Sequence, residues 1–310
     1  MGLPSRVKIV EVGPREGFQM EKNIIPTEQK VNFINQLSQT GLSHIEVTSL
    51  VNPKRVPQMA DADELLSSIQ RVGGVSYSAT YLNEKGLERA IENNVDFRGK
   101  LVFSASNEFS KANMNKSIDE MFAGMKNWIK IYQNVSVPVS QIGVMAAFGC
   151  NYEGRIALDH VMQLLQKAMN IAREHGEMIH QVRLADTMGW ANPTQIKKTI
   201  FAIKNKWPHV DIALHLHDTR GLGLANANAA LEEGVVEFDA AVGGLGGCPF
   251  AKVKGAPGNI CTEDFVFLCE EQGVSTGVNL EALLECSKMA EEMIGRELPG
   301  HLLKGGLFTN

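Results

Sequence analysis

Apolar residues recur along this chain in two alternating patterns. Short runs rich in β-branched residues are separated by longer segments in which apolar positions return every three or four residues. The short runs predict eight strands, at Val7–Val12, His44–Thr48, Val75–Tyr81, Gly99–Ser104, Ser140–Ala146, Gln181–Ala185, Asp211–His217 and Val236–Val242. The longer segments carry helix signals: Pro26-Thr27-Glu28 opens one helix and Gly41 closes it, and Asn192-Pro193 opens another. Eight strand-helix units of roughly 30 to 40 residues predict an α/β fold, a (β/α)8 TIM barrel. A doubly wound sheet is disfavoured because no G-x-G-x-x-G follows the first strand. An additional C-terminal helix is expected over Leu280–Ile294. No linker or low-complexity stretch interrupts the pattern, so residues 1–310 read as a single catalytic domain with a helical extension at about 275–300.

Composition narrows the class of protein. A chain of 310 residues that is 44% hydrophobic and 21% charged can bury one large core. A net charge of -5 without a long basic run argues against a nucleic-acid partner. No apolar stretch approaches the roughly 20 residues that span a bilayer, so no membrane partner is expected. Residues Met1 to Arg6 pass straight into an apolar run without the features of a secretory leader. Five cysteines, at 150, 248, 261, 269 and 286, are an odd number without framework spacing and suit a reducing, cytoplasmic setting.

Candidate chemistry falls where predicted strands end, the end of a barrel that carries active sites. In His215-Leu216-His217-Asp218 the strand alternation puts both imidazoles on one side, able to share a divalent metal. An isolated H-x-H also reads as a buried strand-end pair, so other donors must decide. Glu16 supplies a carboxylate, and two imidazoles with a carboxylate suit Mg²⁺, Mn²⁺ or Co²⁺. Arg15 beside it reads as a surface ion pair or as a guanidinium that steadies an oxyanion. Asp186 and Glu46 read as acid-base groups or as caps. Cys248 sits in Gly243-Gly244-Leu245-Gly246-Gly247-Cys248-Pro249, where a loop thiol could move protons. Asn259 is a turn residue by composition, or an amide oxygen for the metal.

Assembled, these residues resemble the 3-hydroxy-3-methylglutaryl-CoA lyase family, within a wider group of metal-dependent barrel lyases and Claisen-type synthases. The likeness rests on Val10-Glu11-Val12-Gly13-Pro14-Arg15-Glu16-Gly17, Ile45-Glu46-Val47-Thr48-Ser49, Pro53-Lys54-Arg55-Val56-Pro57-Gln58-Met59, Asp186-Thr187-Met188-Gly189, His215-Leu216-His217-Asp218-Thr219 and Gly244-Leu245-Gly246-Gly247-Cys248-Pro249-Phe250. The resemblance implies a divalent cation, Mg²⁺ or Mn²⁺, on Glu16, His215, His217 and Asn259. It implies that Arg15 faces the thioester oxygen, that Glu46, Asp186 and His215 act in catalysis, and that Cys248 is the loop cysteine. Asn113 falls in a segment similar to one near the mouth that binds coenzyme A, which enters as part of the acyl-CoA substrate. A homodimer or higher homo-oligomer is also implied. The expected reaction cleaves 3-hydroxy-3-methylglutaryl-CoA to acetyl-CoA and acetoacetate, a step of leucine catabolism.

The chain departs from the family pattern at several places. Glu16 stands where an aspartate is usual, Phe250 where a tyrosine is usual and Asn151 where a proline is usual. Arg183-Leu184-Ala185-Asp186 replaces a smaller, glycine-containing run, and Ala251-Lys252-Val253-Lys254-Gly255 lengthens a loop. These changes read as neutral drift or as a shift toward a related thioester. Citramalyl-CoA, one methylene shorter and split to acetyl-CoA and pyruvate, leads the alternatives. A Claisen-type acyl-CoA synthase and a non-catalytic relative are further alternatives.

Overall fold

The structure, a computed structural model, describes residues 2–247 and 256–307. All eight expected strands form: β1 (Lys8–Glu11), β2 (His44–Ser49), β3 (Ser76–Thr80), β4 (Gly99–Ser104), β5 (Val139–Met145), β6 (Gln181–Asp186), β7 (Asp211–Leu216) and β8 (Glu237–Ala240). Their ends are trimmed where the chain turns. Val12 has φ -107° and ψ 0° and already leads into a turn, and Val242 enters another. Helices follow the strands, and the expected C-terminal helix has the bounds Leu280–Ile294, opened by the Asn279 side chain and closed by Gly295 at φ +73°. The eight strand-helix repeats with C-terminal helices are those of the (β/α)8 class. Among the described residues no helix is long and apolar enough to cross a membrane.

The chain divides into two compact units. One is centred on Arg98–Glu237 and the other is built from Ser5–Phe97, Phe238–Gly247 and the chain from Pro257 on. Within the first, β4, β5, β6 and β7 are parallel neighbours in that order. Ile142, Val144, Val182, Leu184 and Leu214 seal one face of this sheet against helices. The other face carries Gly143, Arg183, Ala185 and His215 and is only partly buried.

In the second unit the order is β3, β2, β1, β8. The helix Thr27–Leu37 packs against Leu280–Ile294, and the turn after it is fixed by Gly41. There φ is +88°, and a Cβ would stand 2.2 Å from the Gly277 carbonyl oxygen. At the end of β1, Glu11 is fully buried. Its Oε1 accepts from the Gly13 N–H at 2.8 Å and the Val242 N–H at 3.0 Å, and its Oε2 accepts from Thr262 Oγ1 at 2.6 Å. Nearby, the buried Glu263 carboxylate accepts from the Gly243 N–H at 3.0 Å and from Ser287 Oγ at 2.7 Å. Glu11 thereby ties the end of β1 to the turn that follows β8, and Glu263 ties that turn to the helix Leu280–Ile294.

Two outcomes follow for stability. Gly41→Ala is expected to cost about 2 kcal/mol, from left-handed backbone and the close carbonyl, and urea denaturation measures it. Burial, with a smaller push from Glu263, raises Glu11 from its ordinary 4.5 to about 7 despite its donors. The folded state thus holds this proton more tightly than the unfolded chain does. The contribution to stability is full below pH 4.5 and is lost as pH rises through about 7. Over that window the shift is worth about 3 kcal/mol. Stability is expected to fall from pH 5 to 8, and Glu11→Gln, which keeps an acceptor for both N–H groups, is expected to flatten the profile. An unchanged slope in the variant refutes this assignment.

Candidate active site

The polar turn after β1 is held by its own backbone. Pro14 lies in the first turn of Gly13–Gly17, and the Arg15 and Glu16 N–H groups both donate to the Val12 carbonyl, at 3.1 and 2.8 Å. Arg15 is not a surface ion-pair residue. Its Nη2 lies 2.7 Å from Glu16 Oε1 and its Nε donates to Glu46 Oε2 at 2.7 Å, with side-chain exposures of 19%, 13% and 14% for Arg15, Glu16 and Glu46. Thr80 Oγ1 donates to the other Glu46 oxygen at 2.6 Å. Burial alone would weaken the guanidinium's hold on its proton, but Glu16 and Glu46 raise it above its ordinary range, so Arg15 stays charged.

Asn259 joins the same cluster. Its Nδ2 donates to Glu16 Oε2 and to the Leu245 carbonyl, both at 2.9 Å. Its Oδ1 is buried and has no hydrogen-bond partner among the described residues. An unpaired buried carbonyl costs about 1–3 kcal/mol, so this oxygen is open to a further partner. The close approach requires Gly246: at φ +92°, a Cβ there would meet Asn259 Nδ2 at 2.6 Å.

The Arg98–Glu237 unit holds the other expected groups. His215 and His217 bring their Nε2 atoms within hydrogen-bond distance, 3.1 Å apart. Two nitrogens each about 2.1 Å from one ion at a right angle stand about 3 Å apart, which is this spacing. His217 is buried and His215 is partly exposed. Asp186 ends β6, fully buried, and accepts from the Trp190 N–H at 2.8 Å and the Ala191 N–H at 3.0 Å. Burial lifts its carboxyl from 3.8 to about 6, against the pull of those two amides. Asp186 thus holds the turn that precedes the helix Pro193–Lys206, whose N-cap is Asn192, and its remaining lone pairs leave it able to take a proton.

Asn113, on the helix Asn107–Met114, is half-buried with its Nδ2 3.7 Å from Met145 Sδ. Cys248, Phe250 and the Ala251–Gly255 stretch lie outside the described residues. Sequence reasoning passed over the supports. Glu11 and Glu263 received no role, although a lone carboxylate inside an apolar strand run signals a buried partner. It also passed over Trp190, whose Nε1 donates to Asn151 Oδ1 at 2.6 Å while Arg220 stacks 3.6 Å above its ring.

Known proteins share this arrangement of sequence. The family model described as HMGL-like matches residues 6–290. The hydroxymethylglutaryl-CoA lyase YngG of Bacillus subtilis is 40% identical over 304 residues, covering 98% of each chain. The mitochondrial hydroxymethylglutaryl-CoA lyase of Homo sapiens is 41% identical over 296 residues, 95% of this chain and 88% of that one. The crystal structure of the Bacillus subtilis HMG-CoA lyase aligns with a TM-score of 0.89 at 39% identity, over 98% of this chain and 99% of that one. An HMG-CoA lyase from Acinetobacter baumannii in complex with coenzyme A and 3-methylmalate aligns with a TM-score of 0.87 at 39% identity, over 99% and 97%. The likeness runs the length of the chain, through the turn that carries Arg15 and the strands that carry Glu46, Asp186 and His215, and the chain belongs to the HMGL-like family of lyases.

Proposed function

We propose that this enzyme cleaves 3-hydroxy-3-methylglutaryl-CoA to acetyl-CoA and acetoacetate with a divalent cation, Mg²⁺ or Mn²⁺, held by Glu16, His215, His217 and Asn259. The observation that carries the metal is the set of donors: a carboxylate and two imidazoles, with the unpartnered Asn259 Oδ1 as a fourth. A cation on these groups would polarise the tertiary hydroxyl and an adjacent substrate oxygen.

The remaining chemistry belongs to the chain. Asp186, lifted to about 6 by burial, is mostly ionised at neutral pH and takes the hydroxyl proton, with His215 assisting. The electron pair of that O–H bond forms the ketone of acetoacetate, and the carbon-carbon bond pair leaves as the enolate of acetyl-CoA. Arg15, kept charged by Glu16 and Glu46, meets the developing enolate oxygen. Cys248 returns a proton to the enolate carbon. Glu46 holds Arg15 through Nε, so its part is orientation. Asn113 serves the coenzyme A end of the substrate. The four described cysteines are buried free thiols, which supports a reducing, cytoplasmic setting.

A second reading favours a shorter acid such as citramalyl-CoA. Its support is the 3-methylmalate bound with coenzyme A in the Acinetobacter relative, a diacid with a four-carbon backbone.

A product assay tests the proposal. Acetyl-CoA and acetoacetate are expected from the methylglutaryl thioester, with activity lost to chelator and restored by Mg²⁺ or Mn²⁺. Arg15→Ala and His217→Ala are each expected to lower kcat/KM by about 100-fold or more with the melting curve retained. If either folded variant keeps most of its rate, the assignment fails. Release of free CoA thiol from acetyl-CoA and a keto acid would turn the reading toward a synthase.

A further inference from the structure

In the Arg98–Glu237 unit the two faces of the sheet differ in access. Ile142, Val144, Val182, Leu184 and Leu214 are 0–1% exposed, whereas Gly143, Arg183, Ala185 and His215 on the opposite face are partly accessible. The face that carries His215 thus keeps access to solvent. The strand register aligns Val102, Gly143, Arg183 and Ala213 in one row across this face, and pairs Ala185 with His215 two residues further along. At about 3.3 Å of rise per residue the two rows are about 6–7 Å apart, a span that a long side chain covers.

Arg183 is the one long side chain in its row. Gly143 and Ala213 flank it and leave room for its stem. Its guanidinium is ion-paired with Glu237, and the two side chains are 22% and 11% exposed. A cation placed this way is oriented by a carboxylate while still bordering accessible space.

We infer that Arg183, oriented by Glu237, is a specificity-determining residue that sets the depth available to the acid end of the substrate. The inference rests on the lyase reading above. When the tertiary carbon is fixed at the His215 end, each added methylene drives the distal carboxylate toward the Arg183 row. A long, ion-paired side chain there limits how far that carboxylate can go. The effect is discrimination between 3-hydroxyacyl thioesters that differ by one methylene, a difference worth about 10- to 200-fold in a well-fitted pocket.

The test compares kcat/KM for 3-hydroxy-3-methylglutaryl-CoA and citramalyl-CoA in the full-length wild type, in Arg183→Ser and in the double variant Arg183→Ser/Glu237→Gln. The double variant leaves no lone carboxylate, so it carries the comparison if the single variant does not fold. In either folded variant the ratio of longer to shorter substrate is expected to rise about tenfold, mainly through a lower KM for the longer thioester. An equal loss on both substrates, with the ratio unchanged within about twofold, assigns Arg183 a purely structural part and overturns the inference while the lyase reading stands. If the wild type cleaves neither thioester, both fail together.

Discussion

The Glu16 carboxylate is the point on which one half of the candidate site depends. One of its oxygens faces Arg15 and the other accepts from Asn259 Nδ2. The first contact keeps a guanidinium charged in a setting where burial disfavours charge. The second turns the Asn259 amide so that its oxygen points away, buried and unsatisfied. A fold that leaves a carbonyl in this state gives up about 1–3 kcal/mol unless a ligand supplies the partner. The proposed cation would remove that cost.

Carboxylates play two different parts around this point. Glu46 and Glu16 are paired with Arg15, and their value lies in orienting a cation that the reaction can use. Glu11 and Glu263 touch no described cation through a hydrogen bond or ion pair and instead accept backbone N–H groups at the turns beneath the site. Asp186 belongs with the second group. Its two amide donors fix the turn that carries Trp190, and burial still lifts its carboxyl to about 6. A rigid carboxylate with spare lone pairs suits a proton carrier, because its position is settled before the substrate arrives.

Strands and helices were legible because their signals are local. Val7–Val12 and Asp211–His217 show apolar, β-branched runs whose register needs only the strand period, and Leu280–Ile294 carries a cap at each end. The clustering of Arg15, Glu16 and Glu46 was legible through motif resemblance. The supports were not. Glu11 meets Val242 and Thr262 across 231 and 251 residues of sequence, and no periodicity encodes such a partner. The Trp190, Asn151 and Arg220 cluster joins three separate loops, so each residue read alone is an ordinary surface side chain. The trimming of β1 and β8 escaped for a related reason: Val12 and Val242 are strand formers whose backbones are claimed by the turns that carry the polar groups.

The length of the Glu16 side chain acquires a reason in this setting. The Glu16 carboxylate spans from Arg15 on one side to Asn259 on the other, and the space beside its stem is kept open by Gly246. A Cβ on Gly246 would stand 3.1 Å from Glu16 Cβ as well as 2.6 Å from the Asn259 amide. A shorter acid would have to give up part of one contact or draw the two turns together. The longer arm lets the turn after β1 and the glycine turn after β8 keep their separation while the donor atoms stay at hydrogen-bond distance. Glu16, Gly246 and Asn259 are therefore packed as one unit, and the carboxylate at position 16 is coupled to a glycine 230 residues away.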